Sequence, residues 1–432
     1  MINIVDAIMG SGKTSAAINY MNANPDKRFL YITPFNDETE RIRDACRNLD
    51  FWVPSNRIDE YEFRKGRHLK ALVDQGRNVA MTHALFMMSD DETIRAITRH
   101  DYVIFIDEVI DVFEPLEITD SDIDMVVNSG WLVGHGDGAD TEYEYFEPAA
   151  DKRYQGGRFS DLFTLAKSRR LINIREETTG RKFYFWTLHK ELFTLSDTIF
   201  VLTYLFDGMP MKAFLDMHHI EYHFIGVRMD DDGVYRFTED RRRPEYARSI
   251  PSKIHICYDD RLNEIGSRRT ALSATWTKNA VNSLSDGRID KLRKNINTFF
   301  RNRCPGYIKS DGRLWCTYKD AVGRVRDKGF YTSHLAWNTR ATNRYQNCSA
   351  LAYCVNVFIN PNTMNYFTAS GAELDVDKYA LANMVQWIFR GSIRRGEEMW
   401  LYIPSARMRA LLEQWLTDLA QADSHDRGDI DE

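Results

Sequence analysis

The chain has 432 residues, of which 43% are hydrophobic, 12% aromatic and 28% charged. That balance excludes disorder over most of the length and leaves room for two or three domains, each with its own core. No apolar run approaches the ~20 residues of a membrane-spanning helix, which predicts a soluble, cytoplasmic protein without a membrane partner.

Six cysteines (Cys46, Cys257, Cys304, Cys316, Cys348 and Cys354) stand apart with no Cys-x-x-Cys pair. Their scatter argues against structural zinc and a disulfide framework, and fits a reducing compartment. The formal charge of −6 is unevenly laid down. Residues 1–100 balance 14 acids with 14 bases, and residues 101–150 hold 14 acids and no Lys or Arg. Residues 151–420 hold 30 acids and 42 bases, and the last twelve hold five acids and Arg427. A basic surface for a polyanion is therefore compatible with a negative total.

Ile2, Ile4 and Val5 predict a short buried strand, and glycines follow at once. Ala7, four further residues and Gly12-Lys13-Thr14 form a P-loop with alanine at the usual first glycine. In such a loop Gly10, Ser11 and Gly12 curl the backbone so that successive N–H groups face phosphate oxygens. Lys13 reaches the β- and γ-phosphates, and the Thr14 hydroxyl holds Mg²⁺. A helix predicted from Ser15 adds its N-terminal dipole. The motif's place at the start of the chain predicts that no leader peptide is cleaved from it.

Further strands are predicted at Phe29–Thr33, ending at Pro34, and at Asn78–Thr82, ending at His83. Tyr102–Ile106 is a continuous apolar run, the pattern of a strand buried on both faces of a parallel sheet. It delivers Asp107 and Glu108. Behind a P-loop this pair reads as a Walker B site, with Asp107 on Mg²⁺ and Glu108 activating the attacking water.

Between Phe113 and Lys190 the chain is too long for an ordinary connection and predicts an insertion. Its first half is the acidic block. Its second half is basic (Lys167, Arg169, Arg170, Arg175, Arg181, Lys182) and predicts a basic helix beside Phe183–Trp186. Those aromatics are either ordinary core or a stacking surface for bases. Asp197–Phe206 contains another buried strand, ending at Thr203 and Tyr204. His218, His219 and His223 with Glu221 match no tight metal-ligand pattern and read as surface or core histidines. Residues 301–350 hold ten basic and three acidic residues, either a nucleic-acid groove or a solvated face.

Taken with Gln386-Trp-Ile-Phe-Arg390 and Arg394-Arg395, these motifs resemble those of the superfamily 2 helicases and translocases. The closer resemblance is to a group of phage-encoded helicases, through Asn338–Asn343, Leu351–Tyr353, Asn360-Pro361 and Tyr402–Arg409. It implies ATP with Mg²⁺, and an arginine finger at Arg390 with Gln386 and Arg394 beside it. It further implies nucleic-acid contacts at Thr33, Pro34, Thr82, His83, Thr317, Arg340, Thr342 and Asn343. Motif III, which couples the two activities, falls on Thr203 and Tyr204 or on Ser273 of Ser273-Ala-Thr275; the longer strand favours Thr203. Ile110 stands where a DEAD- or DEAH-box enzyme has Asp or His, and Arg390 and Arg394 are four apart rather than the usual three.

The expected architecture is α/β, two RecA-like domains with parallel sheets flanked by helices. Domain 1 spans 1–210 with an insertion at about 113–190, domain 2 spans 211–420, and 421–432 is an acidic disordered tail that suits a replication-protein partner. A motif III at Ser273 would move the boundary to about 285. The expected function is an ATP-dependent helicase or translocase on nucleic acid, DNA ahead of RNA, in phage replication or recombination. A terminase-like packaging motor, or an ATP-switched binding or remodelling protein, are the alternatives.

Overall fold

The computed structural model of the chain describes residues 1–421 other than 59–60, 63, 117, 137–142, 153, 155, 176–181, 284, 307 and 340–343. In chain order the strands are β1 (Ile2–Asp6), β2 (Arg28–Thr33), β3 (Val79–Thr82), β4 (Tyr102–Asp107), β5 (Phe113–Pro115), β6 (Leu132–Gly136), β7 (Tyr143–Pro148) and β8 (Leu171–Arg175). They continue as β9 (Lys182–Thr187), β10 (Thr198–Thr203), β11 (Tyr222–Met229), β12 (Tyr235–Thr238), β13 (Ile254–Ile256), β14 (Arg313–Cys316), β15 (Ala350–Tyr353) and β16 (Met399–Tyr402). The fold is mixed α/β, with parallel sheets flanked by helices.

The first sheet has the order β12-β11-β1-β10-β4-β2-β3, and only the edge pair β11–β12 is antiparallel. Its strands read as unbroken apolar runs because both faces are covered. Ile4, Ile32, Ile104, Ile106 and Val201 pack on one face. Val5, Tyr31, Phe105, Phe200 and Leu202 pack on the other. The register matters more for function: Asp6 lies opposite Thr203, Leu202 opposite Asp107, and Thr33 opposite Thr82. Every strand end marked by the sequence therefore falls along one carboxyl edge, where ligands bind in open α/β sheets.

The second sheet, β13-β16-β15-β14, is parallel throughout. The crossover between sheets corrects the expected boundary at 210. Strands β11 and β12 extend the first sheet, so the chain leaves it only after Thr238. Alternation in 222–229 reads the same whichever sheet the strand joins, so periodicity alone does not place it.

The segment after β4 builds its own five-stranded antiparallel sheet, β5-β9-β8-β7-β6. Where a basic helix is expected beside Phe183–Trp186, the described residues there, Leu171–Arg175 and Lys182–Thr187, are instead strands β8 and β9, with Tyr184 and Phe185 in the core. Within the block, Arg158 pairs with Asp122 at 2.8 Å and Arg169 with Glu147, so its acidic and basic halves partly neutralise each other. Arg170 is buried and donates to the Ser89 carbonyl. The Phe113 ring of β5 stacks on Tyr366 of the helix Pro361–Ala369, centroids 4.1 Å apart, joining the insertion to the second unit.

Of the basic cluster at 301–350, Arg303 pairs with Asp259 at 2.6 Å, Arg313 is buried, and Arg324 donates to the Val281 carbonyl. Lys309, Lys319, Arg326 and Lys328 are exposed. All six cysteines are free. Among the described residues no helix is long and apolar enough to cross a membrane, and no His, Cys, Asp and Glu cluster suits a metal. His223 pairs with Glu239 at 2.7 Å.

Candidate active site

The turn after β1 is shaped by its glycines. Gly10 and Gly12 take φ of 89° and 91°, a region that costs a residue with a Cβ. The Ala7 N–H donates to the Thr203 carbonyl at 3.1 Å, and Ala16 to Gly12 at 2.8 Å, so the turn runs straight into the helix Lys13–Ala23. The Lys13 ammonium folds back onto the carbonyls of Ala7 and Ile8. Burial holds its pKa below the usual lysine value, opposed by the charges of Glu108, Asp6 and Asp107.

Strand β4 brings two acids to the same edge. Asp107 is pushed up to about 7, first by burial and then by Glu108 and Glu38, with Lys13 opposing. Glu108 has φ of 65°, uncommon for a residue with a side chain, and donates its N–H to the Leu202 carbonyl at 2.9 Å. Backbone held in this region just past a strand end is typical of functional turns.

The sign for Asp107 follows from its direction. A carboxyl whose folded pKa is raised makes the ligand-free fold lose stability as pH climbs from about 4 to about 7. Asp107→Asn is therefore expected to melt above the wild type at pH 8 and alongside it at pH 4. A melting difference independent of pH would contradict this.

The second unit reaches the edge through the helix Val376–Ile388 and the residues after it. Arg390 is 4% exposed, and its Nε and Nη2 have no hydrogen-bond partner among the described residues. Burial lowers its pKa, and the charges of Glu108 and Asp107 support its protonated form. Gln386 donates from Nε2 to the Tyr204 carbonyl at 3.5 Å, and Trp415 from Nε1 to the Tyr204 hydroxyl at 3.0 Å. Arg394 is exposed and close enough to affect Lys13 and Arg390.

Ser11 Oγ, Thr33 Oγ1, Thr203 Oγ1 and Thr317 Oγ1 are likewise buried without a partner among the described residues. Native proteins seldom leave such groups unpaired. Ser11 and Arg390, beside a glycine turn, fit a ligand rich in anionic oxygen. Thr14 and Asp107 have the oxygen chemistry that Mg²⁺ requires.

Other expected residues lie differently. Ser273 caps the helix Ala274–Asn282, accepting from Trp276 N at 3.2 Å, and so lies in the second unit, whereas Thr203 stands between β1 and β4. Thr82 caps the helix His83–Met87. The His83 ring is buried, with Nε2 2.8 Å from the Asp107 carbonyl oxygen, and so faces the strand ends instead of an open groove. Pro34 is half-buried beside Thr33. Arg340, Thr342 and Asn343 lie outside the described residues, as do 422–432 of the acidic tail.

Sequence reasoning missed Asp6, a half-buried side chain that accepts the N–H groups of Leu205 (2.8 Å) and Phe206 (3.2 Å). An acid ending an otherwise apolar strand was the available signal. Tyr235 and Tyr246, which also touch the turn, carry no pattern that could have marked them.

Two parallel α/β units thus meet over a glycine-rich turn, two acids and a buried arginine. Along its sequence the chain is 34% identical, over 421 residues, to the SPbeta prophage-derived protein YonV of Bacillus subtilis (strain 168), covering 96% of this chain and 98% of that one. The chain belongs to the YonV family. Residues 248–416 match the YonV C-terminal Rossmann-like domain, which takes in the second sheet. Among solved structures, S. tokodaii Xpd4 overlays with a TM-score of 0.42 at 11% identity, covering 96% of this chain and 94% of that one. A hypothetical ATP-dependent RNA helicase from Sulfolobus tokodaii overlays at 0.25 and 12%, covering 96% and 90%. At these scores the overlays carry no weight for function.

Proposed function

We propose that the chain is an ATP-dependent helicase or translocase acting on nucleic acid, DNA ahead of RNA, in phage replication or recombination. The observation that carries this reading is Arg390: a buried guanidinium with two nitrogens unpartnered among the described residues, contributed by one unit and set near the acids of the other. Holding such a group costs stability unless a ligand completes it.

In this reading Ala7–Thr14 cradle the phosphates and Lys13 exchanges the carbonyls of Ala7 and Ile8 for phosphate oxygens. Mg²⁺, held by Thr14 and Asp107, would neutralise charge on the β- and γ-phosphates. Glu108 takes a proton from water as its oxygen attacks the γ-phosphorus and ADP leaves. Arg390, supported by Gln386 and Arg394, stabilises the charge spread over the transferred phosphoryl oxygens. Tyr204, which Gln386 and Trp415 grip, and Thr203, bonded through its carbonyl to Ala7, would transmit closure of the cleft. Thr33, Pro34, Thr82, Thr317, Arg340, Thr342 and Asn343 are the proposed contacts to nucleic acid, with His83 acting from beneath them. The acidic tail is the proposed docking segment for a replication protein. The prophage setting of the YonV relative supports the phage context.

Phosphate release measured with and without single-stranded DNA, followed by forked-duplex unwinding, tests the reading. Lys13→Ala is expected to lose at least a hundredfold of strand-stimulated turnover; a near wild-type rate would sink the mechanism. Stimulated hydrolysis without unwinding would favour a packaging motor or an ATP switch.

A further inference from the structure

Two tyrosines that the proposed hydrolysis does not use lie directly on the glycine-rich turn. Tyr235, from β12, packs its ring on Gly12 so closely that a Cβ there would fall 2.2 Å from Tyr235 Cδ1. Tyr246 belongs to the short helical turn Glu245–Ser249, within the crossover between the two sheets. Its hydroxyl donates to the Met9 carbonyl at 2.8 Å and lies 3.4 Å from where a Gly10 Cβ would stand.

The rest of the Tyr246 ring is not spent on the core: the residue is 41% exposed. With Glu245, Arg248 and Ser249 it lines an open hollow of about 590 Å³. The Ser249 hydroxyl donates to the Tyr246 carbonyl at 2.8 Å, which stiffens the turn that carries the ring.

An aromatic ring fixed at its polar end and partly exposed is a ready stacking surface, because little side-chain entropy remains to be lost when a flat ligand covers it. A nucleobase presents such a face, with donors and acceptors around its edge. Glu245, Arg248 and Ser249 line the hollow beside the ring. A base sits only a ribose away from its phosphates, so its platform has to border the phosphate cradle, and Tyr246 touches that cradle at Met9.

We propose that Tyr246, with the hollow it lines, holds the purine base of the nucleoside triphosphate. This rests on reading the glycine-rich turn as a triphosphate site. A purine is favoured over a pyrimidine because its two fused rings cover more of the tyrosine face.

The test titrates the full-length chain, in Mg²⁺, with ATP and separately with inorganic tripolyphosphate, which has the phosphates and no base. Tyr246→Ala is expected to weaken ATP at least tenfold while tripolyphosphate stays within twofold. Tyr246→Phe keeps the ring and loses the Met9 contact, and is expected to hold ATP within threefold of wild type. Unchanged ATP binding by Tyr246→Ala would overturn the proposal. So would a parallel loss of ATP and tripolyphosphate, or a Tyr246→Phe defect as large as that of alanine, because either would mean that the tyrosine acts through the turn. Wild-type protein that binds tripolyphosphate as tightly as ATP would also remove the base platform. If it binds neither, the triphosphate reading itself fails.

Discussion

Arg390→Ala is expected to lower strand-stimulated ATP turnover about a thousandfold, the low end of what an arginine finger contributes, while leaving ATP affinity within a few-fold. The asymmetry follows from position. Lys13 and the turn amides, which the proposal assigns to phosphate binding, belong to one unit, whereas Arg390 arrives from the other, with Nε and Nη2 free of protein partners among the described residues. Its charge is most useful when negative charge moves outward onto the transferred phosphoryl oxygens. Lysine should rescue poorly, because a point charge on a flexible stem cannot replace a planar fork with two donors. The ligand-free protein should not lose stability: removing a buried cation with unsatisfied donors relieves a cost. Phosphate release and thermal melting on one preparation check both halves. Collapsed turnover with an unchanged or raised melting temperature is the expected pair. A variant that melts early and loses activity in proportion would mean that Arg390 is structural.

Phe105→Ala is expected to be the most damaging single truncation in the first sheet, at about 3–5 kcal/mol. Phe105 is fully buried and stacks on Phe200 with centroids 4.8 Å apart and rings 9° from parallel. Tyr31, Tyr20, Phe29 and Phe237 surround the pair. Alanine leaves a cavity that five neighbouring rings, each held by its own strand or helix, are poorly placed to fill. Phe105→Leu, closer in volume, should cost about 1–1.5 kcal/mol. Urea denaturation followed by tryptophan fluorescence reads both, and equal midpoints for alanine and leucine would show that the ring stack contributes nothing beyond bulk. Because Asp107 is two residues further along the same strand, loss of nucleotide binding should track unfolding in this variant, unlike in Arg390→Ala.

Where each element lay, and where the chemistry gathered, were legible to different degrees. Unbroken apolar runs ending in Thr33, Thr82, Asp107 and Thr203 predict parallel strands with polar carboxyl ends, and all four strands are there. The competition between Thr203 and Ser273 was a question of neighbours. Three residues of Ser-Ala-Thr carry no information about which strand precedes them, and Ser273 turns out to cap a helix of the second unit. The domain boundary depended on neighbours in the same way: β11 and β12 join the first sheet, and nothing in their short apolar patterns says which sheet a strand joins. Charge was the least reliable guide. Arg169, Arg170, Arg303 and Arg324 read as candidate nucleic-acid contacts, yet each is engaged within the protein.

The sequence by itself determined the parallel α/β class, the glycine turn and the acid pair, because these depend on periodicity and on short spacings along one chain. Only the tertiary structure decided that Arg390 would come near Glu108 across a separation of 282 positions, that Asp6 would hold the turn after β10, and that Tyr246 would border the glycine-rich turn. Such meetings are set by the packing of one unit against another. Burial then changes what the groups are: Asp107 becomes a carboxyl whose pKa is pushed up to about 7, and Arg390 a cation with donors unmet among the described residues.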